Sequence, residues 1–392
     1  MQYRRFGQTE LRMPVLTCGG MRYQQSWQDI DPKELEPTSQ ENLDATVRQA
    51  VDCGINHIET ARGYGSSECQ LGFILPTFPR DELLIQTKIS PQESKSAFLD
   101  TFETCMAHLK VDYIDLLSVH GINTCQLLDM TLTGGSLDAC RELQASGRVR
   151  HVGFSTHGPL EVILDTINSD EFSYVNLHWY YFDQRNYPAV IRASEKDMGV
   201  FIISPSDKGG QLFSPPDKLE ALCSPLSPMG FNDLFCLSHP AVHTLSIGAS
   251  RPSDFDAHLA ILGMLDRPED ALAPIRQRLE RALTEVFDAD WADHWHEGLP
   301  LVIGENDQIP IYHVVRMYNM AKAFDMVSFG KYRYNLLNNG GHWFPGEKLS
   351  GKAIRQVKSL LGAYRFADRI PAILEEAHAL FDEEDTARIS QS

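Results

Sequence analysis

Eight short apolar runs, separated by stretches of helical periodicity, constrain this chain more than any other feature of its sequence. They are Val15 to Gly20, His57 to Ala61, Leu83 to Ile89, Tyr113 to His120, Val149 to Thr156, Tyr174 to Trp179, Val200 to Pro205 and His243 to Ala249. Apolar bursts this short, bounded by turn residues, read as buried strands, and parallel strands require a crossover between each pair. The intervening segments supply one: Gln40 to Cys53 opening at Ser39, Ser66 to Ile74, Ser94 to Leu109, Leu137 to Ser146, Leu160 to Asn168, Tyr187 to Met198 and Ser253 to Gly263. In the third, Phe98, Phe102, Cys105, Met106 and Leu109 recur at three- and four-residue steps, the stripe of a helix that faces a core. Eight strand–helix units within about 260 residues predict an α/β chain folded as a (β/α)8 TIM barrel. A doubly wound open sheet would carry a G-x-G-x-x-G turn after its first strand, and none is present.

The segment Tyr3 to Leu16 predicts a hairpin across the barrel floor. Beyond Arg267-Pro268 the pattern changes to longer helical segments, Leu272 to Phe287, Pro310 to Ala323, Ala353 to Tyr364 and Pro371 to Phe381, broken at Asn338-Asn339-Gly340-Gly341. The expected organisation is a barrel over residues 1–265 and a helical C-terminal region over 266–392.

Charge excludes several partner classes. A net charge of -18 over 392 residues repels phosphate backbones and anionic membrane surfaces, so neither nucleic acid nor a membrane is an expected partner. No stretch reaches the roughly 18 apolar residues of a membrane span, and Met1 to Gln8 has no apolar signal-peptide core, which predicts a cytoplasmic protein. The eight cysteines are never closer than 13 residues, so no C-x-x-C metal or redox signature exists, and buried thiols are expected.

Barrel enzymes carry their reactive groups at the C-terminal ends of the strands. There the sequence offers Glu59 and Tyr64 after the second run, Lys88 in the third and His120 closing the fourth. An ammonium near a phenol favours the phenolate, a carboxylate keeps the ammonium charged, and an imidazole donates to a substrate oxygen. Together they make a proton donor with an oxyanion clamp, suited to carbonyl reduction.

The residues around these positions resemble the aldo-keto reductase family. GINHIETARGYGSSECQLG at 54 to 72, TKI at 87 to 89 and SVHG at 118 to 121 are similar to its second-strand, lysine and histidine motifs. RRFGQTELRMPVLTCGG at 4 to 20, KVDYIDLL at 110 to 117 and SGRVRHVGFSTHG at 146 to 158 extend the resemblance over about residues 1 to 265. It implies an NADPH-dependent reduction of an aldehyde or ketone, with Tyr64 as proton donor, Lys88 and Glu59 lowering its pKa and His120 orienting the carbonyl. Glu59 stands where the family has aspartate, one methylene longer.

The resemblance also implies a cofactor site. Gly20 and Met21 would lie by the nicotinamide ribose, Ser155, Thr156 and Asn176 at the carboxamide, and Ser204, Pro205, Ser206, Lys208 and Gly210 under the pyrophosphate. Gly248, Ala249, Ser250, Arg251 and His258 would meet the adenosine phosphate end. The family's common 2'-phosphate arginine is Asp254 here, with Arg251 as substitute, and its frequent nicotinamide-stacking aromatic is Ile203, which keeps NADH open beside NADPH. Arg22, Tyr23, Trp27, Arg62, Trp179, Tyr180 and Tyr181 are the expected substrate lining. The alternative is a catalytically weakened barrel that serves as a nucleotide-binding sensor or interaction subunit.

The C-terminal region resembles the extension of a bacterial branch with cysteine-ligated iron-sulfur clusters, through IPIYHVVRMYNMAKAFDMVSFGKYRYNLL at 309 to 337 and HWFPGEKLSGKA at 342 to 353. Its cluster motifs correspond to DADWADHWHEGLP at 288 to 300 and EKLSGKAIRQVKSLLGAYRF at 347 to 366, which contain no cysteine. A cluster needs thiolates, so a helical scaffold without iron-sulfur is expected. His294 and His296 lack an identified third partner for a replacement metal site. Trp291, Trp295, Trp343 and Phe344 are expected to pack this region.

Overall fold

The structure is a computed structural model and describes residues 1–304, 308–338, 346–349 and 357–384. The chain divides into two compact units, one formed by Met1–Gly209 with Asn232–Pro268, the other by Gly210–Phe231 with Glu269–Ser392.

The first unit is the barrel. A hairpin of β1 (Tyr3–Arg5) and β2 (Arg12–Pro14) precedes eight parallel strands: β3 (Leu16–Gly19), β4 (His57–Glu59), β5 (Leu84–Ile89), β6 (Ile114–Val119), β7 (Val149–Ser155), β8 (Tyr174–Leu177), β9 (Gly199–Ile202) and β10 (Thr244–Ile247). Seven fall inside the apolar runs, and β9 starts one residue before its run, at Gly199. Neighbours in sequence pair in parallel, and β10 pairs with β3 to close the barrel, with Leu245 opposite Leu16 and Ile247 opposite Cys18.

Several crossover helices follow the periodicity closely, among them Lys95–Leu109, whose N-cap Ser94 accepts from the amide of Ala97, and Leu160–Asn168. The expected helix at Ser253 to Gly263 is instead three short pieces, Pro252–Phe255, Asp256–Leu259 and Leu262–Met264. Pro252 starts this segment in a 3-10 turn, which the apolar spacing does not reveal. The helices Cys125–Thr133 and Pro228–Ser238 were not expected, and the first has a single buried residue, Thr131, and so no apolar stripe to announce it.

The hairpin closes the floor as expected. Phe6 is fully buried among Leu11, Met13, Leu116, Tyr174 and Phe201. Above this plug the inward side chains of alternate strand positions are polar and bonded to one another. Thr17 Oγ1 lies 2.8 Å from both His57 Nδ1 and Thr244 Oγ1, Gln86 Nε2 donates to Ser118 Oγ at 2.9 Å, and Ser118 Oγ meets Tyr174 OH at 3.0 Å. The two-residue strand period then puts Glu59 on the face of His57 and Lys88 on the face of Gln86, one layer nearer the C-terminal ends.

The second unit is helical, with Pro268–Phe287, Ile311–Phe324, Val327–Tyr334 and Ile370–Phe381 as its principal elements. Trp291 is fully buried here, its indole N–H donating to Asn319 Oδ1 at 3.1 Å and its ring against Phe287 and Phe366. Trp295 packs on Tyr312. Trp343 and Phe344 lie outside the described residues, as do parts of both the Asn338 to Gly341 break and the Ala353 to Tyr364 segment. His294 contacts Glu297 at 3.3 Å, and no group of three or more potential metal ligands converges among the described residues. Six of the eight cysteines are buried and Cys125 is exposed. No helix among the described residues is long and apolar enough to cross a membrane.

Burial holds the His57 imidazole down at about 3 and that of His243, beside the floor, at about 4. Both stay neutral in the native chain while the unfolded chain takes up protons near pH 6.5, so their contribution is complete above that pH and is lost as pH falls. Between pH 6.5 and 5, before most carboxylates titrate, stability in urea should fall by about 1.4 kcal/mol per pH unit for each protonating histidine. The slope should flatten in His57→Gln and His243→Gln; an unchanged slope in both variants removes the histidines as its cause.

Candidate active site

Glu59 is the last residue of β4 and Lys88 the penultimate residue of β5, and they meet inside the barrel as an ion pair, 3% and 1% exposed at their side chains. Lys88 Nζ also donates to the Thr60 carbonyl at 2.9 Å and to Tyr64 OH at 3.1 Å, its ammonium 4.5 Å from the centre of the Tyr64 ring. His120, one residue past β6, presents its ring edge-on to Tyr64 at 5.8 Å. The four residues read from the sequence therefore come together at the C-terminal ends of three adjacent strands.

The pKa directions differ from the sequence expectation. Burial pushes the Tyr64 phenol above its ordinary value rather than below it, and burial pulls the Lys88 ammonium down, against the opposing field of the Glu59 carboxylate. Tyr64 is thus held in its protonated form at neutral pH, the form a proton donor needs.

A second set of contacts fixes the Tyr64 loop. Gly65 has φ +53°, and any Cβ there would stand 2.1 Å from the Ser26 carbonyl, so only glycine allows the loop after β3 to lie against the Tyr64 turn. The Ser66 amide donates to that same carbonyl at 2.9 Å, and Trp27 sits edge-on to Tyr64 at 6.5 Å. Behind the turn, Glu68 is fully buried and accepts from Thr87 Oγ1 at 2.6 Å and Arg62 Nη1 at 2.7 Å, while Arg62 Nη2 pairs with Asp29. Ser246 on β10 donates to Glu59 Oε2 at 3.3 Å. Neither Glu68 nor Ser246 was singled out from the sequence. The available signal was a polar residue interrupting an apolar run, as Ser246 does in the eighth.

The expected substrate lining is largely corrected. Tyr23 is 3% exposed beside the Cys18 thiol, Trp179 is 3% exposed among Tyr187, Phe235 and His239, and Tyr180 is 1% exposed with its hydroxyl on His178 and the Ile203 carbonyl. These are core residues, because aromatic side chains following a strand bury more area against neighbouring helices than they can in an open loop. Arg62 is committed to its carboxylates. Arg22 is exposed next to Gly248, Trp27 is half-buried beside Tyr64, and Tyr181 packs on Phe182 and Phe235.

The candidate cofactor residues divide by environment. Asn176, fully buried at the third position of β8, has no hydrogen-bond partner among the described residues for either Oδ1 or Nδ2, an orphaned amide able to pair with a primary carboxamide. Ser155 Oγ accepts from the Gly121 amide at 3.1 Å and retains its own O–H to donate, whereas Thr156 spends its hydroxyl hydrogen on the Ile122 carbonyl at 2.7 Å. These groups fit the amide end of a nicotinamide cofactor. Gly20 is required by packing, since a Cβ there would come within 2.7 Å of the Glu59 carbonyl, and the neighbouring Met21 is half-buried. After β9, Ser204 adopts φ +52° and starts the helical turn Pro205–Lys208 that carries Ser206. Gly210 belongs to the second unit, against Met320 and Met326. After β10, Ala249 is buried and Ser250 is bound to Asp254, as is the 71% exposed Arg251 at 3.0 Å. His258 is only 5% exposed and pairs with the buried Asp233, which turns it into the core rather than toward a nucleotide.

A model of the aldo/keto reductase family matches residues 15–218. An aldo-keto reductase of Mycobacterium sp. (strain KMS) is 29% identical over 134 residues, covering 33% of this chain and 47% of that protein. The L-glyceraldehyde 3-phosphate reductase of Escherichia coli K12 is 26% identical over 175 residues, covering 41% and 46%. The chain thus spans about half the length of the curated relatives it matches. Among solved structures, the holo form of an aldo-keto reductase from Bacillus halodurans superposes with TM-score 0.58 at 20% identity, covering 71% of this chain and 96% of that one. An aldo-keto reductase from Klebsiella pneumoniae in complex with NADPH gives 0.56 at 18% identity, covering 71% and 95%. The structural matches establish the barrel fold.

Removing one member of a buried ion pair leaves an uncompensated charge, at a cost of about 3–5 kcal/mol, whereas removing both restores much of the loss. Lys88→Met should therefore lower the urea midpoint strongly and the double variant Lys88→Met/Glu59→Gln should recover most of it. A double variant no more stable than Lys88→Met would show that the two side chains are not coupled.

Proposed function

The chain belongs to the aldo/keto reductase family, and from that premise we propose that it is an NAD(P)H-dependent oxidoreductase that reduces an aldehyde or ketone to an alcohol. The observation that carries this reading is the Lys88 ammonium, which touches the buried Glu59 carboxylate and donates to Tyr64 OH at 3.1 Å, beside the edge of His120. A reduced nicotinamide supplies the hydride when bound. Asn176 and Ser155 bind and orient its carboxamide. His120 donates to the carbonyl oxygen and holds it over Tyr64, the Tyr64 O–H gives its proton to that oxygen as the alcohol forms, and Lys88 stabilises the phenolate left behind. Glu59, held by Ser246, keeps Lys88 in place.

NADPH is the favoured cofactor in this proposal, with Arg251 as the cation for its 2'-phosphate, and NADH is the alternative. A small-molecule carbonyl as partner and a cytoplasmic location complete it.

Tyr64→Phe tests the central assignment. Reduction of a panel of aldehydes and ketones, followed as loss of reduced-nicotinamide absorbance, should fall by about 10²- to 10⁴-fold, with the NADPH dissociation constant unchanged within about twofold. Equal turnover by the variant overturns the proton-donor role. NADPH binding by the unaltered chain without turnover of any carbonyl would favour the nucleotide-binding sensor instead.

A further inference from the structure

The loop between β3 and the helix Pro37–Asp52 reaches the candidate site through Trp27, which meets Tyr64 edge-on. None of the residues from Gln28 to Glu36 is buried, so this stretch has no apolar anchor of its own. Neutral hydrogen bonds tie the segment before Trp27. The Ser26 amide donates to Ser66 Oγ at 3.0 Å, the Gln25 amide to Gln70 Oε1 at 2.8 Å, and Gln25 Oε1 accepts from the Glu36 amide at 2.7 Å. On the other side of Trp27 the tie is ionic, from Asp29 to Arg62 Nη2.

Arg62 is built to hold that carboxylate in one place. Two residues before Tyr64, its amide donates to the Lys88 carbonyl at 2.9 Å. Its Nη1 donates to Glu68 Oε2 at 2.7 Å and lies 3.3 Å from His108 Nδ1. Glu68 is fully buried and is fixed in turn by the hydroxyl of Thr87, the residue before Lys88. The Arg62 side chain is 17% exposed and that of Asp29 59%. Glu68 already balances the guanidinium charge, so neutrality does not require a second carboxylate at the surface. What Asp29 supplies is position, because the planar fork presents Nη2 in a direction that Nη1 and Glu68 determine.

We infer that Arg62 is a positioning residue for the reaction, joining Asp29 of the loop after β3 to the Tyr64 turn so that Trp27 is held against the Tyr64 ring. The inference rests on the reductase reading for what Tyr64 does, and it replaces the substrate contact that the sequence suggested for Arg62. Release of Asp29 leaves the Lys88 contact to Tyr64 in place and frees the wall beside it. Carbonyl binding then weakens alike in the ground and transition states, which raises KM and spares kcat.

Hydrogen exchange of the full chain, read by mass spectrometry, tests the junction without reference to activity. Loss of an exposed ion pair shifts a local opening equilibrium by up to about fivefold. Asp29→Asn should therefore speed exchange over Gln24 to Leu35 by about three- to fivefold and leave other peptides unchanged. Arg62→Lys, which keeps the charge and loses the fork, should do the same, whereas Asp29→Glu, which keeps the carboxylate, should stay close to the unaltered chain. In steady-state reduction with NADPH and the best substrate of the aldehyde and ketone panel, Asp29→Asn should raise KM by about three- to fivefold, with kcat and the NADPH dissociation constant within about twofold. Trp27→Ala should raise KM by itself, and adding Asp29→Asn to it should change nothing further, because the two act through one contact. Unchanged loop exchange in Asp29→Asn overturns the inference, as does an unchanged KM in an active chain or a fully additive loss in the double variant. An unaltered chain that reduces no carbonyl of the panel overturns the reductase reading instead, and the exchange result then decides the junction alone.

Discussion

Closure of the barrel by the pairing of β10 with β3 is the constraint on which the candidate site depends. It places Thr244 beside Thr17 and Ser246 beside Glu59, residues far apart in the chain that form one inward layer and the start of the next. An open sheet with the same eight strands would leave the β3 and β10 edges unpaired, and the Glu59 carboxylate would lose the hydroxyl that fixes its second oxygen. The hairpin and Phe6 complete the enclosure from below.

Within that enclosure the energetics turn on one buried ion pair. Glu59 and Lys88 are too deeply buried to be stable as separate charges, and each satisfies the other while the Thr60 carbonyl and Ser246 take up remaining hydrogen-bonding capacity. The pair also explains how a chain with a carboxylate one methylene longer than the resembled motif accommodates it. The longer arm reaches Lys88 directly and presents its other oxygen to Ser246, with Gly19 leaving room, since a Cβ there would lie 3.3 Å from Glu59 Oε2.

Polar residues near the strand ends divide into two layers of function. Those paired with buried carboxylates, such as Arg62 with Glu68 and His258 with Asp233, hold loops and helices in place. A buried group with no partner among the described residues, such as the Asn176 amide, is one a ligand would recruit. The same residue types occur in both layers, and burial together with the nearest partner decides which role each takes.

The eight largely apolar runs fixed the strand count and order, because short buried runs separated by crossovers have few other solutions. Glu59 and Lys88 were legible for a related reason: the two-residue strand period determines which side chains point inward, and the last inward position of a barrel strand faces the open end, while Tyr64 and His120 were legible from their place just past the ends of β4 and β6. Tyr23, Trp179 and Tyr180 were misplaced because an aromatic after a strand looks the same in sequence whether it lines a mouth or packs beneath a helix. Only the tertiary structure decided that, as it decided the partners of Glu68 and Ser246 and the direction of the Tyr64 and Lys88 shifts. Those depend on distance and desolvation among groups from different strands, which local sequence does not encode.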